Sequence, residues 1–300
     1  MEKYKNILII IFISTIGGAA GVFFKIALVE IPLDLFTFLR FSLAFIAFLP
    51  FLYKKSGLVS IDRKKLILIS LIGTANIVFF IFGLQFTTAI ISGMLYAAAP
   101  LVVGVLSWKI TKEEIGFSKW LGISIGFIGG LLIILAPKFG VASIWDGSLL
   151  GNLVISLAVI SFSLYSVLSK KYQDIYSPMI LTKYFVVTTI ITQLVLMSFH
   201  LSSSFSLVQH ISLKVWLVIL YAGILDTTLY YFLYQHVVKR ASPVIASMTF
   251  YLQPISAIVW AKLIFDERMT TTFFIGSLLI FIGITLVFRE KYFNQSKVNS

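Results

Sequence analysis

An all-α integral membrane fold of ten transmembrane helices, arranged as two inverted five-helix repeats, is predicted by three features of the sequence. Only 12% of the 300 residues are charged while 59% are hydrophobic, the apolar residues run on for about 20 positions at a time, enough to cross about 30 Å of hydrocarbon, and the second half repeats landmarks of the first. A water-soluble domain carries about 25% charged residues, so this chain lacks the polar surface that water requires. A bilayer removes the conflict if every backbone N–H and C=O is bonded internally, which leaves helices or closed barrels. Barrel strands alternate apolar and polar residues over about ten positions; uninterrupted apolar runs select helices.

Cutting those runs at Pro, Gly and charge clusters places helices over 7–28, 35–53, 66–86, 90–108, 120–136, 149–169, 179–199, 215–235, 243–264 and 272–288. The first run has no small-x-small cleavage site and reads as a retained helix. With the amino terminus inside, most of the 24 Lys and Arg residues, among them Lys54, Lys55, Arg63, Lys64, Lys65, Lys170, Lys171, Lys239 and Arg240, face the cytoplasm. The opposite loops hold Lys138, Lys214 and Arg268. That bias predicts a multi-pass protein of the cytoplasmic membrane with both termini cytoplasmic. Trp108 and Trp120 then mark the inner interface and Trp145, Trp216 and Trp260 the outer one. The formal charge of +12 is spread over short loops, so it reads as a topology signal and nucleic acid is not an expected partner. There is no cysteine, which excludes disulfides and thiolate sites. His200, His210 and His236 lack metal-ligand spacing, so no metal or cofactor is expected.

The repeat is weak and extends over both halves. At an offset of 154, Met94, Pro100, Glu113, Gly122 and Gly129 meet Met248, Pro254, Glu267, Gly276 and Gly283. At 150, Gly73, Asn76 and Gln85 meet Gly223, Asp226 and Gln235, and at 146, Lys25 and Pro32 meet Lys171 and Pro178. Repeats are expected over 1–137 and 148–289, followed by a cytoplasmic tail over 290–300. Because five is odd, the second copy enters the membrane from the side opposite to the first. Two packings of similar energy, one open to each side, are inherent in such symmetry.

The stretch Gly93-Met94-Leu95-Tyr96-Ala97-Ala98-Ala99-Pro100 through Glu113, then Gly122 and Gly129-Gly130, is echoed by Met248 through Pro254, Glu267, Gly276 and Gly283. With Arg40 early in the second helix, this pattern resembles the drug/metabolite transporter superfamily, in its bacterial ten-helix branch with paired EamA-type domains. The resemblance covers nearly the whole chain. It implies movement of small metabolites, often amino acids or related compounds, through a central cavity lined by both halves. Asp226 departs from it, since a small residue is expected there. Small multidrug pumps of the same superfamily place a carboxylate in the first helix; here Ser14 to Gly21 holds no acid.

Asp226 and its counterpart Asn76 fall near the middle of their helices. An ionisable group at that depth costs about 2.5–3.5 kcal/mol on insertion scales and faces a cavity or a partner. Asp226 is a candidate for binding a cationic group or a proton; the structural alternative is a carboxyl bonded by Thr227 or Thr228. Arg40 has a fork suited to a carboxylate, either that of a substrate or that of Asp34 or Glu30. Lys25, Lys183 and Lys262 read as snorkelling or paired side chains. Pro100 and Pro254 each remove a backbone donor in mid-helix and are candidate kinks shaping the cavity. Tyr96, Tyr230, Tyr251 and Gln253 lie near them and suit a small amphipathic solute, although ordinary packing explains each one singly. Gly122, Gly126 and Gly130, like Gly17 and Gly21, form small-xxx-small steps for close helix packing, within the protomer or across a homodimer.

The expected function is secondary transport of a small metabolite, an amino acid or relative, by export. No GxxxxGK[ST] phosphate loop is present, so movement follows gradients. The alternative from another class is an intramembrane enzyme acting on a lipid or prenyl substrate. That reading needs paired carboxylates, a Ser–His pair or a metal constellation, whereas Asp226 is the one acid well inside a span.

Overall fold

The computed structural model describes residues 2–52, 62–84, 86, 89–135, 148–198, 207–265 and 271–298. Ten helices are present among the described residues: α1 (Glu2–Ala27), α2 (Leu33–Leu52), α3 (Arg63–Leu84), α4, α5 (Phe117–Leu135), α6 (Leu149–Tyr172), α7 (Pro178–Met197), α8, α9 and α10 (Thr271–Val298). Three of these are composite. α4 joins Ala89–Tyr96 and Ala99–Leu106 to a π-helical turn over Ser107–Thr111; α8 joins Leu213–Leu220, a π-helical stretch over Tyr221–Leu229, and Tyr230–Arg240; α9 joins Pro243–Ser247 to Thr249–Phe265. Lys112, left-handed at φ 54°, closes α4.

Five windows are each long and apolar enough to cross a bilayer: Leu33–Pro50, Arg63–Gly83, Leu149–Tyr172, Pro178–Met197 and Leu213–Arg240. Shorter apolar stretches lie in α1, α4, α5 and α10. Large apolar side chains such as Leu8, Leu68, Leu153, Leu263 and Leu278 stand exposed on the outside, as a protein solvated by lipid permits. Serine hydroxyls begin four helices of the second half, α6 to α9. Ser148, Ser177, Ser212 and Ser242 accept from the N–H groups of Gly151, Ile180, Val215 and Ile245, satisfying donors that the helix itself leaves orphaned. Asp62 plays the same part for α3, accepting from Lys65 N at 3.2 Å. Hydrogen bonding from the Lys65 ammonium holds the Asp62 carboxyl below the ordinary carboxylate range. Its contribution to the cap is therefore present above that range and is lost as pH falls through the lowered value. Lys65→Ala should raise the Asp62 pKa toward its ordinary value, as read by carbonyl chemical shift against pH.

The packing obeys a two-fold relation between the halves. Matching each helix with the one five places later, α3 packs on α6 as α8 does on α1, α4 on α6 as α9 on α1, and α3 on α7 as α8 on α2. The pairs α5–α10 and α2–α7 join helices to their own counterparts, as elements beside the axis must. The halves are thus two inverted five-helix repeats, related by an in-plane pseudo-two-fold.

At the α5–α10 contact the backbones meet directly. A Cβ on Gly122 would stand 2.6 Å from Gly283 O, and one on Gly129 2.6 Å from Gly276 O. Of the expected stripe, Gly122 and Gly126 lie at this crossing, since a Cβ on Gly283 would stand 2.5 Å from Gly122 O and 2.7 Å from Gly126 N; Gly129 joins them, Gly126 also lies under the ring of Tyr251, and Gly130 faces Ala97 at ordinary distance. This contact lies within the protomer.

Candidate substrate site

Asp226 sits in the π-helical stretch of α8, which sequence reasoning missed. Its wide turns point carbonyls away from the ordinary ladder, and two hydroxyls meet them: Thr227 Oγ1 donates to Ala222 O and Thr228 Oγ1 to Gly223 O, each at 2.8 Å. Those threonines are therefore engaged with backbone, and the expected alternative in which they bond Asp226 is not what the structure forms. Such stretches recur at functional sites. Gly223 brings α2 close, since a Cβ there would stand 2.8 Å from Arg40 O.

That approach lets Arg40 reach Asp226. Arg40 Nη2 lies 3.6 Å from Asp226 Oδ2, with the two side chains 10% and 11% exposed. The expected partners of Arg40 are corrected by this geometry. Asp34 accepts from its neighbour Leu35 N at 2.8 Å, and Glu30 accepts from Ser212 N and Oγ at 3.1 and 2.8 Å, which ties the α1–α2 turn to the start of α8. The Arg40 guanidinium also lies 5.1 Å from the ring centroids of Phe24 and Phe41, positions that favour a desolvated cation. Its Nε is buried without a hydrogen-bond partner.

From Arg40 a continuous string of aromatic rings crosses the bundle. Phe41 meets Phe185 at 5.7 Å, Phe185 meets Tyr231 at 4.7 Å, and Tyr231 meets Tyr230 at 5.5 Å. Tyr230 stacks on Tyr234 at 6.2 Å; Phe162 and Phe250 then lead to Tyr96. Tyr96 accepts from Asn76 Nδ2, which also donates to Ala158 O at 2.9 Å, so Asn76 ties α3 to α4 and α6. Gln253 joins through Nε2, donating to the Tyr230 hydroxyl at 3.0 Å. Gly17 makes room for that pair, because a Cβ there would lie 2.5 Å from Gln253 Nε2. Asn76→Leu should lower stability by about 1–3 kcal/mol through its lost interhelical bonds, seen as a lower melting temperature in detergent.

Asp226, Arg40, Asn76, Tyr96, Tyr230 and Gln253 are thus joined through contacts among both repeats. Tyr251 is not: it is fully buried, its hydroxyl donates to Ile123 O at 2.6 Å, and it packs on α5. Two residues before Gln253 on the same helical segment, it faces away from the string. Pro100 begins the second segment of α4 after a break at Ala97–Ala98, so it starts a helix and does not bend a continuous one. Pro254 lies inside the longer segment of α9. The side chains of Lys25 and Lys262, and Trp145, Glu267 and His200 entirely, lie outside the described residues. Glu113 pairs with Lys119 at 3.6 Å, as its interfacial position suggests. Among the described residues no three His, Cys, Asp or Glu side chains gather as metal ligands.

Both five-helix halves, over residues 5–135 and 149–289, match the model of the EamA-like transporter family. The chain belongs to the EamA-like transporter family. It is therefore a multi-pass membrane protein of a transporter family, with that family's unit present twice. It is 25% identical over 291 residues to the uncharacterized transporter YetK of Bacillus subtilis (strain 168), covering 92% of this chain and 84% of that protein. With the uncharacterized transporter YdfC of the same organism it shares 29% identity over 221 residues, covering 72% and 67%. A crystal structure superposes with a TM-score of 0.79 over 94% of this chain and 96% of that one, at 15% identity, and so bears on the fold alone.

Proposed function

We propose that this EamA-like protein is a secondary transporter that exports a small zwitterionic metabolite, an amino acid or related compound, across the cytoplasmic membrane by alternating access. The observation that carries the reading is the Arg40–Asp226 pair, two buried opposite charges brought from helices of different repeats. A zwitterion exchanges one ion pair for two, its carboxylate taking the Arg40 fork and its ammonium taking Asp226. No net charge is added to the interior by that exchange, which keeps the desolvation cost low. The unpartnered Arg40 Nε supplies the second donor that bidentate recognition of a carboxylate needs. The aromatic string and Gln253 offer a mixed surface for the rest of the solute.

The family resemblance implies export or uptake of small metabolites, of which export is the direction proposed, and the basic-residue bias supports cytoplasmic termini. The repeats are assigned to 1–137 and 148–289. We read the chain as a carrier and not an enzyme because Asp226 is paired with a cation and not with a second carboxylate. The test is flux of a metabolite panel in proteoliposomes with and without a proton gradient. Protein-dependent movement of α-amino acids is expected, and collapsing the gradient separates coupled from facilitated movement. Fluxes equal to those of empty vesicles for every solute would overturn the reading, and Asp226→Asn with unchanged flux and pH dependence would remove Asp226 from the path.

A further inference from the structure

Among the described residues the bundle is more closely joined at one end than at the other. At the end where α6 and α8 finish, the end that also carries the start of α1, a buried network joins the two helices. Gln173 Nε2 donates to Gln235 O at 3.0 Å and to Gln235 Oε1 at 2.8 Å, and Gln235 Nε2 donates to Ser169 Oγ at 3.1 Å. One turn deeper the hydroxyls of Ser166 and Tyr234 lie 2.9 Å apart, and at the rim Lys170 Nζ donates to Lys239 O at 2.8 Å. Ser169, Gln173 and Gln235 are at most 1% exposed. At the same end the short first segment of α9 packs on the second segment of α4.

The two-fold relation that organises the rest of the packing demands counterparts at the other end: α1 on α3, and the first segment of α4 on the longer segment of α9. Among the described residues neither approach is made to a like degree. The sequence carries the same asymmetry. The offset of 146 maps Ser166, Ser169 and Gln173 onto Ala20, Phe23 and Ala27, and the offset of 150 maps Tyr234 and Gln235 onto Leu84 and Gln85. A polar network at one end corresponds to mostly small or apolar residues at the other.

We propose that Ser169, Gln173 and Gln235 are the gate at the end bearing the termini, and that the structure is the state closed there and open at the opposite end. The inference rests on the alternating-access reading above. In the other state the repeats exchange conformations: α6 and α8 part at this network, while α1 and α3 approach each other at the opposite end. Amide and hydroxyl groups suit a seam that opens to water, since each recovers its bonds from solvent. Gln173 Oε1, buried without a partner when the seam is closed, gains one on opening.

The chain has no cysteine, so spin labels can be placed at will. One pair at Lys171 and Arg240 reads the polar end; a second at Val29 and Phe82, both exposed, reads the opposite end. The unaltered protein in lipid nanodiscs should give mainly a short distance at the first pair and a long one at the second. Gln235→Leu removes the centre of the network and should raise the population parted at 171/240 about tenfold relative to the closed one. The 29/82 distance should shorten in step. Ser169→Ala, which removes a single bond, should act in the same direction more weakly and serves if Gln235→Leu does not fold. Unchanged distances in a folded variant would overturn the proposal, as would parting at 171/240 without closure at 29/82. Because no flux is measured, coupled exchange in a chain that moves no solute would sink the transport reading alone; flux with no exchange would sink the gate alone.

Discussion

Arg40→Ala should destabilise the folded bundle by about 3–5 kcal/mol, the cost of leaving Asp226 buried and unpaired, and Asp226→Ala should do the same to Arg40. The pair is loose at 3.6 Å and deeply enclosed. The double variant Arg40→Met with Asp226→Leu should recover most of that loss, since replacing both charges by packed apolar groups is often neutral or stabilising. Thermal melts in detergent read the three variants, and equal melting points for single and double variants would contradict the buried pair. The double variant should also move no zwitterionic solute while melting like the unaltered protein. That combination separates a pair kept for substrate exchange from one kept for stability.

The second large effect is expected where α5 meets α10. Gly129→Leu drives a side chain into Gly276 O, 2.6 Å from its first carbon. A backbone oxygen cannot swing aside, so two helices must separate, and the loss should be about 3 kcal/mol or more. Gly122→Leu meets Gly283 O at the same distance and should behave alike. Gly130→Ala is the control: its added carbon lies 3.5 Å from Ala97 Cβ, and its effect should stay within about 1 kcal/mol. Melting all three under one detergent condition decides the matter. A Gly129→Leu protein as stable as Gly130→Ala would mean the helices do not cross there.

The span positions were legible because lipid imposes a simple condition, about 20 apolar residues with their backbone bonds satisfied internally. The inverted repeat was legible for a related reason: the glycines and prolines that recur mark backbone approach and helix breaks, which side-chain drift does not erase. Asp226 stood out because an acid inside a span is costly. Its partner was not legible. On a regular helix Asp226 and Arg40 have no evident relation, whereas the π-helical stretch changes the register of α8, and Gly223 admits α2 closely enough for the two to meet. The glycine stripe shows the same limit. Spacing alone suggested Gly122, Gly126 and Gly130, whereas the crossing with α10 is made by Gly122, Gly126 and Gly129, and Gly130 faces Ala97 instead. Tyr251 faces α5 because it lies two residues before Gln253 on the same helical segment, on a nearly opposite face of it. The aromatic string through Phe41, Phe185, Tyr231, Phe162 and Phe250 was hidden by abundance, since 28 phenylalanines and 13 tyrosines give no reason to single out any of them.

The account stands on opposed threading of the two halves, and single-cysteine labelling in sealed, oriented membranes tests it most directly. Cysteines placed singly at Lys64 and Asp174 should react from one side, the cytoplasmic one, and those at Val29 and Gln209 only from the other. Reaction of 64 and 174 from different sides of the same membrane would contradict the inverted arrangement and the transport mechanism built on it.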